Sequence, residues 1–92
     1  MIYILLGAGF EEAEALVTAD VLRRADIPVK LTGIGGDTVT GSHGITVLAD
    51  VHVEAVTLEL GDMVVLPGGI TRLNAAEPFE AMALVDRKKT LP

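Results

Sequence analysis

Two groups in this chain have the residue types and placement to do chemistry. The first is Glu14, a carboxylate one turn inside a predicted helix, Glu11 to Ala25, that follows the short apolar run Ile2–Leu6. At helical spacing Val17, Val21, Leu22 and Ala25 form an apolar stripe, and Glu14 falls on it, so its carboxylate is expected to be largely desolvated. Burial raises a carboxyl pKa while the positive end of the helix dipole lowers it, so the sign is open. Glu14 reads either as a general acid/base or as a helix-start glutamate satisfied by backbone N–H groups. The second group is Gly68 with Gly69, which follow Pro67 and the apolar run Met63–Leu66. Paired glycines leave backbone N–H groups unshielded, as stabilisation of an oxyanion requires; an ordinary Pro-Gly-Gly turn is the alternative. Both groups lie past the carboxyl ends of strands expected to be neighbours, where open α/β sheets place their sites.

Other candidates are weaker. Gly7-Ala8-Gly9-Phe10-Glu11-Glu12 has two of the glycines of a dinucleotide fingerprint. The third is missing, and Glu11, Glu12 and Glu14 would set like charge against a pyrophosphate, so no dinucleotide cofactor is expected. His43 and His52 have no metal-ligand spacing with other candidates and are expected at the surface, with no metal. With no cysteine, the 92 residues hold no thiol nucleophile and no disulfide. Asp20 and Arg24 are an i,i+4 pair, a weak helix stabiliser that is also a candidate interface contact.

The elements that must position these groups follow from periodicity. Ile2–Leu6 is continuously apolar and bounded by glycine, which predicts a strand buried on both faces. The helix Glu11–Ala25 has acids in its first turn and Arg23 and Arg24 in its last, both favoured by the dipole. Val29–Ile34 is a second strand, completing a right-handed βαβ unit. Gly33, Gly35, Gly36 and Asp37 form a turn; Thr38–Thr40 and Ile45–Leu48 flank Gly41-Ser42-His43-Gly44 as a hairpin. Val53 to Leu60 is ambiguous, Met63–Leu66 is a strand with both faces apolar, and Glu77–Lys88 is a helix with Pro78 in its first turn. Ala13 and Leu16 add a second apolar patch to the first helix, so that helix is expected to be covered on two sides, by the sheet and by a second subunit.

Composition excludes several classes. A net charge of −6 opposes binding to nucleic acid or to an anionic membrane surface. No stretch approaches the ~20 apolar residues of a spanning helix, and the opening run lacks the basic flank of a signal peptide, so a cytoplasmic protein is expected. Half the residues are apolar in a chain of only 92, which points to part of a larger core or to an obligate partner.

Three segments together, Gly9-Phe10-Glu11-Glu12-Ala13-Glu14, Asp20-Val21-Leu22-Arg23-Arg24-Ala25 and Asp62-Met63-Val64-Val65-Leu66-Pro67-Gly68-Gly69, resemble the ThiJ/PfpI family of parkinsonism-associated deglycase-like proteins. The resemblance runs from Leu5 through Gly69. It implies an α/β, flavodoxin-like three-layer sandwich with a mainly parallel sheet, of the class I glutamine amidotransferase group, usually dimeric. It further implies that Glu14 hydrogen-bonds a reactive cysteine, that Gly69 offers its N–H near that cysteine with Gly68 beside it, and that Gly9 and Glu11 line the pocket. Asp20 and Arg24 are implied near the dimer interface, and His43 falls where some members carry an interface arginine.

In that family the cysteine comes on the strand after a helix that here ends near Lys89, beyond the given sequence. Residues 1–92 are therefore expected to be the N-terminal part of a single domain, completed by a C-terminal segment that carries the cysteine. The intact form is expected to be a glyoxalase or deglycase acting on small reactive carbonyls. The alternatives are a non-enzymatic oxidative-stress sensor or holdase chaperone, and a peptidase.

Overall fold

The computed structural model describes residues 1–69. The expected helix over Glu77–Lys88 lies outside them. Six strands and one helix follow in the order β1 (Ile2–Leu6), α1 (Glu12–Arg24), β2 (Val29–Gly33), β3 (Thr38–Thr40), β4 (Thr46–Leu48), β5 (Val51–His52) and β6 (Met63–Val65), with a single 3₁₀ turn at Val53–Ala55. Strands β5, β2, β1 and β6 form one parallel sheet in that order, and β3 with β4 forms a separate antiparallel ribbon.

The continuous apolar run of β1 is explained by its place. It pairs with β2 on one side and β6 on the other, and successive side chains point to opposite faces. Ile4 and Leu6 pack towards α1 in a cluster with Phe10, Ala15, Ala19, Val29, Leu31 and Val39. Leu5 faces the other way, into a cluster with Ile34, Val53, Val56 and Leu58, against which Tyr3, Val51 and Val64 also pack. A strand loaded on both faces cannot show the polar alternation of a half-exposed one.

Helix α1 departs from the expected orientation. Its buried residues are Glu12, Ala15 and Ala19, with Leu16 and Leu22 partly buried against the core. The stripe read as apolar is largely solvent-facing: Val17 and Val21 are 58% and 56% exposed, and Ala25 is exposed as well. Small side chains on the inner face let the helix approach the sheet, while apolar residues around most of the circumference hide which stripe does so. Both ends are well formed. Glu11 is the N-cap, accepting from the Ala13 N–H at 3.2 Å. At the other end Ile27 N–H bonds Leu22 O and Asp26 N–H bonds Arg23 O, each at 3.0 Å, with Asp26 in the left-handed region at φ 59°.

Arg23 ties this end of α1 to the sheet, pairing with Asp50 at 2.7 Å, while the same Asp50 oxygen accepts from Leu31 N–H. Among the described residues β6 has one neighbour, β1, with Met63 and Leu66 more than half exposed. No helix of the described residues is long and apolar enough to cross a membrane.

Candidate functional site

The segment Gly7–Glu11 turns the chain from the carboxyl end of β1 into α1, and two loops grip it from opposite sides. On one side Gly9 N–H donates to Thr40 O and Ser42 N–H donates to Phe10 O, both at 2.9 Å. On the other, Glu11 N–H donates to Gly68 O at 2.7 Å. Phe10, fully buried, plugs the core beneath. This arrangement brings Glu14 and the glycine pair together: Gly68 N–H donates to the Glu14 carboxylate at 3.0 Å across 54 residues of sequence.

Gly69 is required by space, and a side chain at Gly68 would push the Glu14 carboxylate away. A Cβ on Gly68 would stand 2.9 Å from a Glu14 oxygen, and one on Gly69 would collide with Gly9 O. Gly69 also has φ 82°, a conformation that side chains disfavour. Two expectations change. Glu14 is exposed rather than desolvated, because none of the described residues packs over its carboxylate. The Gly68 N–H is engaged by Glu14, so it is not an open donor for a substrate oxygen in this arrangement.

The desolvated carboxylate is Glu12, read from the sequence only as one of the helix-start acids. It is 4% exposed, beneath the turn between β3 and β4. One oxygen accepts from His43 N–H at 2.7 Å and Ile45 N–H at 3.3 Å; the other accepts from the Ser42 hydroxyl at 3.3 Å and lies 3.0 Å from His43 Nδ1. Burial pushes this carboxyl up, but the hydrogen bonds from its own backbone amide, the His43 ring and the amides of His43 and Ile45 outweigh it. The pKa settles at about 2. Gly41 leaves the room, since a Cβ there would collide with the Glu12 carboxylate carbon.

His43 is at the surface as expected, but it is not isolated: Glu11, Glu12 and His43 place potential ligand atoms within 4.8 Å of one another. The hydrogen bonds already made by Glu12 account for this grouping. Nor is it a nucleophilic relay, because Ser42 Oγ and Glu12 Oε1 both approach Nδ1, at 3.1 and 3.0 Å, leaving Nε2 outside the set. Beside the turn an open groove of about 340 Å³, largely apolar, is lined by Glu11, Glu12, Ala13, Leu16, His43 and Ile45. Asp20 and Arg24 pair at 3.0 Å farther along α1, both exposed.

A mainly parallel sheet with a helix packed on it, and a carboxylate and a glycine loop at the carboxyl ends of two neighbouring strands, defines a flavodoxin-like α/β fold. The chain belongs to the DJ-1/PfpI family, whose model matches residues 1–90. It is 42% identical over 73 residues to protein dj-1beta of Drosophila melanogaster, covering 78% of this chain and 39% of that protein. It is 35% identical over 69 residues to the Parkinson disease protein 7 homolog of Danio rerio, covering 73% of this chain and 36% of that protein. Among solved structures, a cysteine-to-alanine mutant of a DJ-1 superfamily protein from Salmonella typhimurium superposes with a TM-score of 0.82 at 40% identity, over 96% of this chain and 49% of the other. Oxidized DJ-1 of Toxoplasma gondii superposes with a TM-score of 0.72 at 28% identity, over 94% of this chain and 50% of the other. The chain thus spans about half the length of these relatives, or less.

Proposed function

We propose that these residues form the N-terminal part of a single domain whose intact form is a cysteine-dependent enzyme acting on small reactive carbonyls, as a glyoxalase or deglycase. The observation that carries this reading is the hydrogen bond from Gly68 N–H to the Glu14 carboxylate at the carboxyl ends of β6 and β1. It holds an ionisable, exposed oxygen beside a glycine loop.

In this reading the cysteine comes from a segment outside the 92 residues. Its thiolate adds to the carbonyl carbon, and the carbonyl electron pair moves to oxygen, which the Gly69 N–H helps stabilise. Glu14 takes the proton given up by the thiol and passes it to that oxygen. It then moves a proton from the aldehyde carbon of the adduct to the neighbouring carbonyl carbon, leaving a thioester that water hydrolyses to a 2-hydroxy acid with release of the thiol. Gly9 and Glu11 line the approach. No cofactor is needed, because both electron pairs stay within substrate and thiol.

A second reading, an oxidative-stress sensor or holdase, draws support from the relative solved in oxidized form. The exposed face of α1, with Val17, Val21, Asp20 and Arg24, and the neighbouring His43 groove are proposed to be covered by a second copy of the protein in a cytoplasmic homodimer. The test is turnover of methylglyoxal by the intact protein. Replacing Glu14 by Gln is expected to lower kcat/KM by roughly 100-fold or more, the usual size of a general acid/base contribution. Wild-type turnover in that variant would remove the acid/base role of Glu14, and none in the parent would remove the enzymatic reading and leave the sensor.

A further inference from the structure

We infer that Glu12 is a positioning residue for the Glu14–Gly68 site: it clamps the Gly41–Ile45 turn onto the first turn of α1, and so holds Glu14 opposite Gly68 N–H. The inference rests on the site reading above and adds to it a residue that touches neither substrate nor nucleophile.

The geometry forms a chain of contacts. Glu12 is buried and accepts from two backbone amides and a hydroxyl of a turn about 30 residues away. That turn also holds the backbone just before α1, through Ser42 N–H to Phe10 O, while Thr40 O takes the Gly9 N–H. The same few residues are bonded on their opposite side to the glycine loop, through Glu11 N–H to Gly68 O. Glu14 is two residues beyond Glu12 on the helix, so its carboxylate reaches Gly68 only while the helix start keeps its height over the sheet. The glycine at 41 fits this account, because its missing side chain leaves the volume the Glu12 carboxylate fills. Removing the clamp frees one wall of the sandwich, and the other wall, the glycine loop, loses its fixed counterpart.

The test reads the Glu14–Gly68 bond directly, in the intact protein without substrate, so it is independent of whether any carbonyl is turned over. By NMR the Gly68 amide proton should shift as Glu14 titrates, and Glu14→Gln should abolish that response. Glu12→Gln, which keeps shape but removes charge, and Gly41→Ala, which displaces the carboxylate, are both expected to shrink the response by roughly half or more with the circular dichroism spectrum unchanged. Gly44→Ala is the control: its φ of 81° makes the substitution strain the same turn, but its added Cβ meets nothing within 4 Å. It should lower thermal stability and leave the Gly68 response intact. Should Glu12→Gln fail to fold, Ser42→Ala removes a single donor and is expected to reduce the response in part. A full response in Glu12→Gln, Gly41→Ala or Ser42→Ala, or an equal loss in Gly44→Ala, would overturn the inference.

Discussion

Glu12 and Glu14 are two residues apart, and the fold gives them opposite surroundings. Glu14 is exposed, with one backbone donor among the described residues, whereas Glu12 is enclosed by the turn it holds. The hydrogen bonds lower the Glu12 pKa from an ordinary 4.5 to about 2, so the folded protein keeps this group ionised where an unfolded chain would protonate it. Its contribution to stability is therefore complete above about pH 4.5 and is lost as the pH falls towards 2. Melting temperatures of wild type and Glu12→Gln measured across that range should differ most at neutral pH and converge at the acid end. A constant difference would show that the charge plays no part. Glu12 was not legible as special in the sequence, because its partners at 42, 43 and 45 are joined to it only by the folding of the chain.

At the scale of elements, α1 shows what capping and packing each contribute. Its ends were readable: acids at the start, arginines at the finish, and a proline shortly after. The stop itself uses an aspartate in the left-handed conformation that glycine adopts without strain. Asp26→Gly is accordingly expected to stabilise the protein by about 0.5–1 kcal/mol, the relief of that conformation less the added freedom of the unfolded chain. Chemical denaturation would check it, and a loss of stability would mean that the Asp26 side chain does more than endure its backbone. The orientation of α1 was not readable, since apolar residues surround most of it and only the approach of the sheet selects Ala15 and Ala19 as the inner face.

For the whole molecule, the outer face of α1 is where the proposed second copy would sit. Val17 and Val21 stay more than half exposed among the described residues, beside the Asp20–Arg24 pair and the groove at Leu16 and His43. If a second copy covers this face, Val21→Asp places an unpaired charge in the contact and should weaken dimerisation of the intact protein by an order of magnitude or more. Sedimentation velocity would show a concentration-dependent shift towards monomer. An unchanged dimer would place the interface elsewhere.

Residue types and their periods were enough to settle the strands β1, β2 and β6, the hairpin of β3 and β4, and the helix between the first two strands. These depend on local alternation, on turn chemistry and on the rule that βαβ units bring strand ends together, all of which act over short stretches of chain. The two-residue strand β5 escaped notice because its pairing is made by β2 and not by any pattern of its own. Which carboxylate is buried, and which side of α1 meets the sheet, were decided only when distant segments closed around them. Burial is set by neighbours in space, and a window of sequence contains only neighbours along the chain.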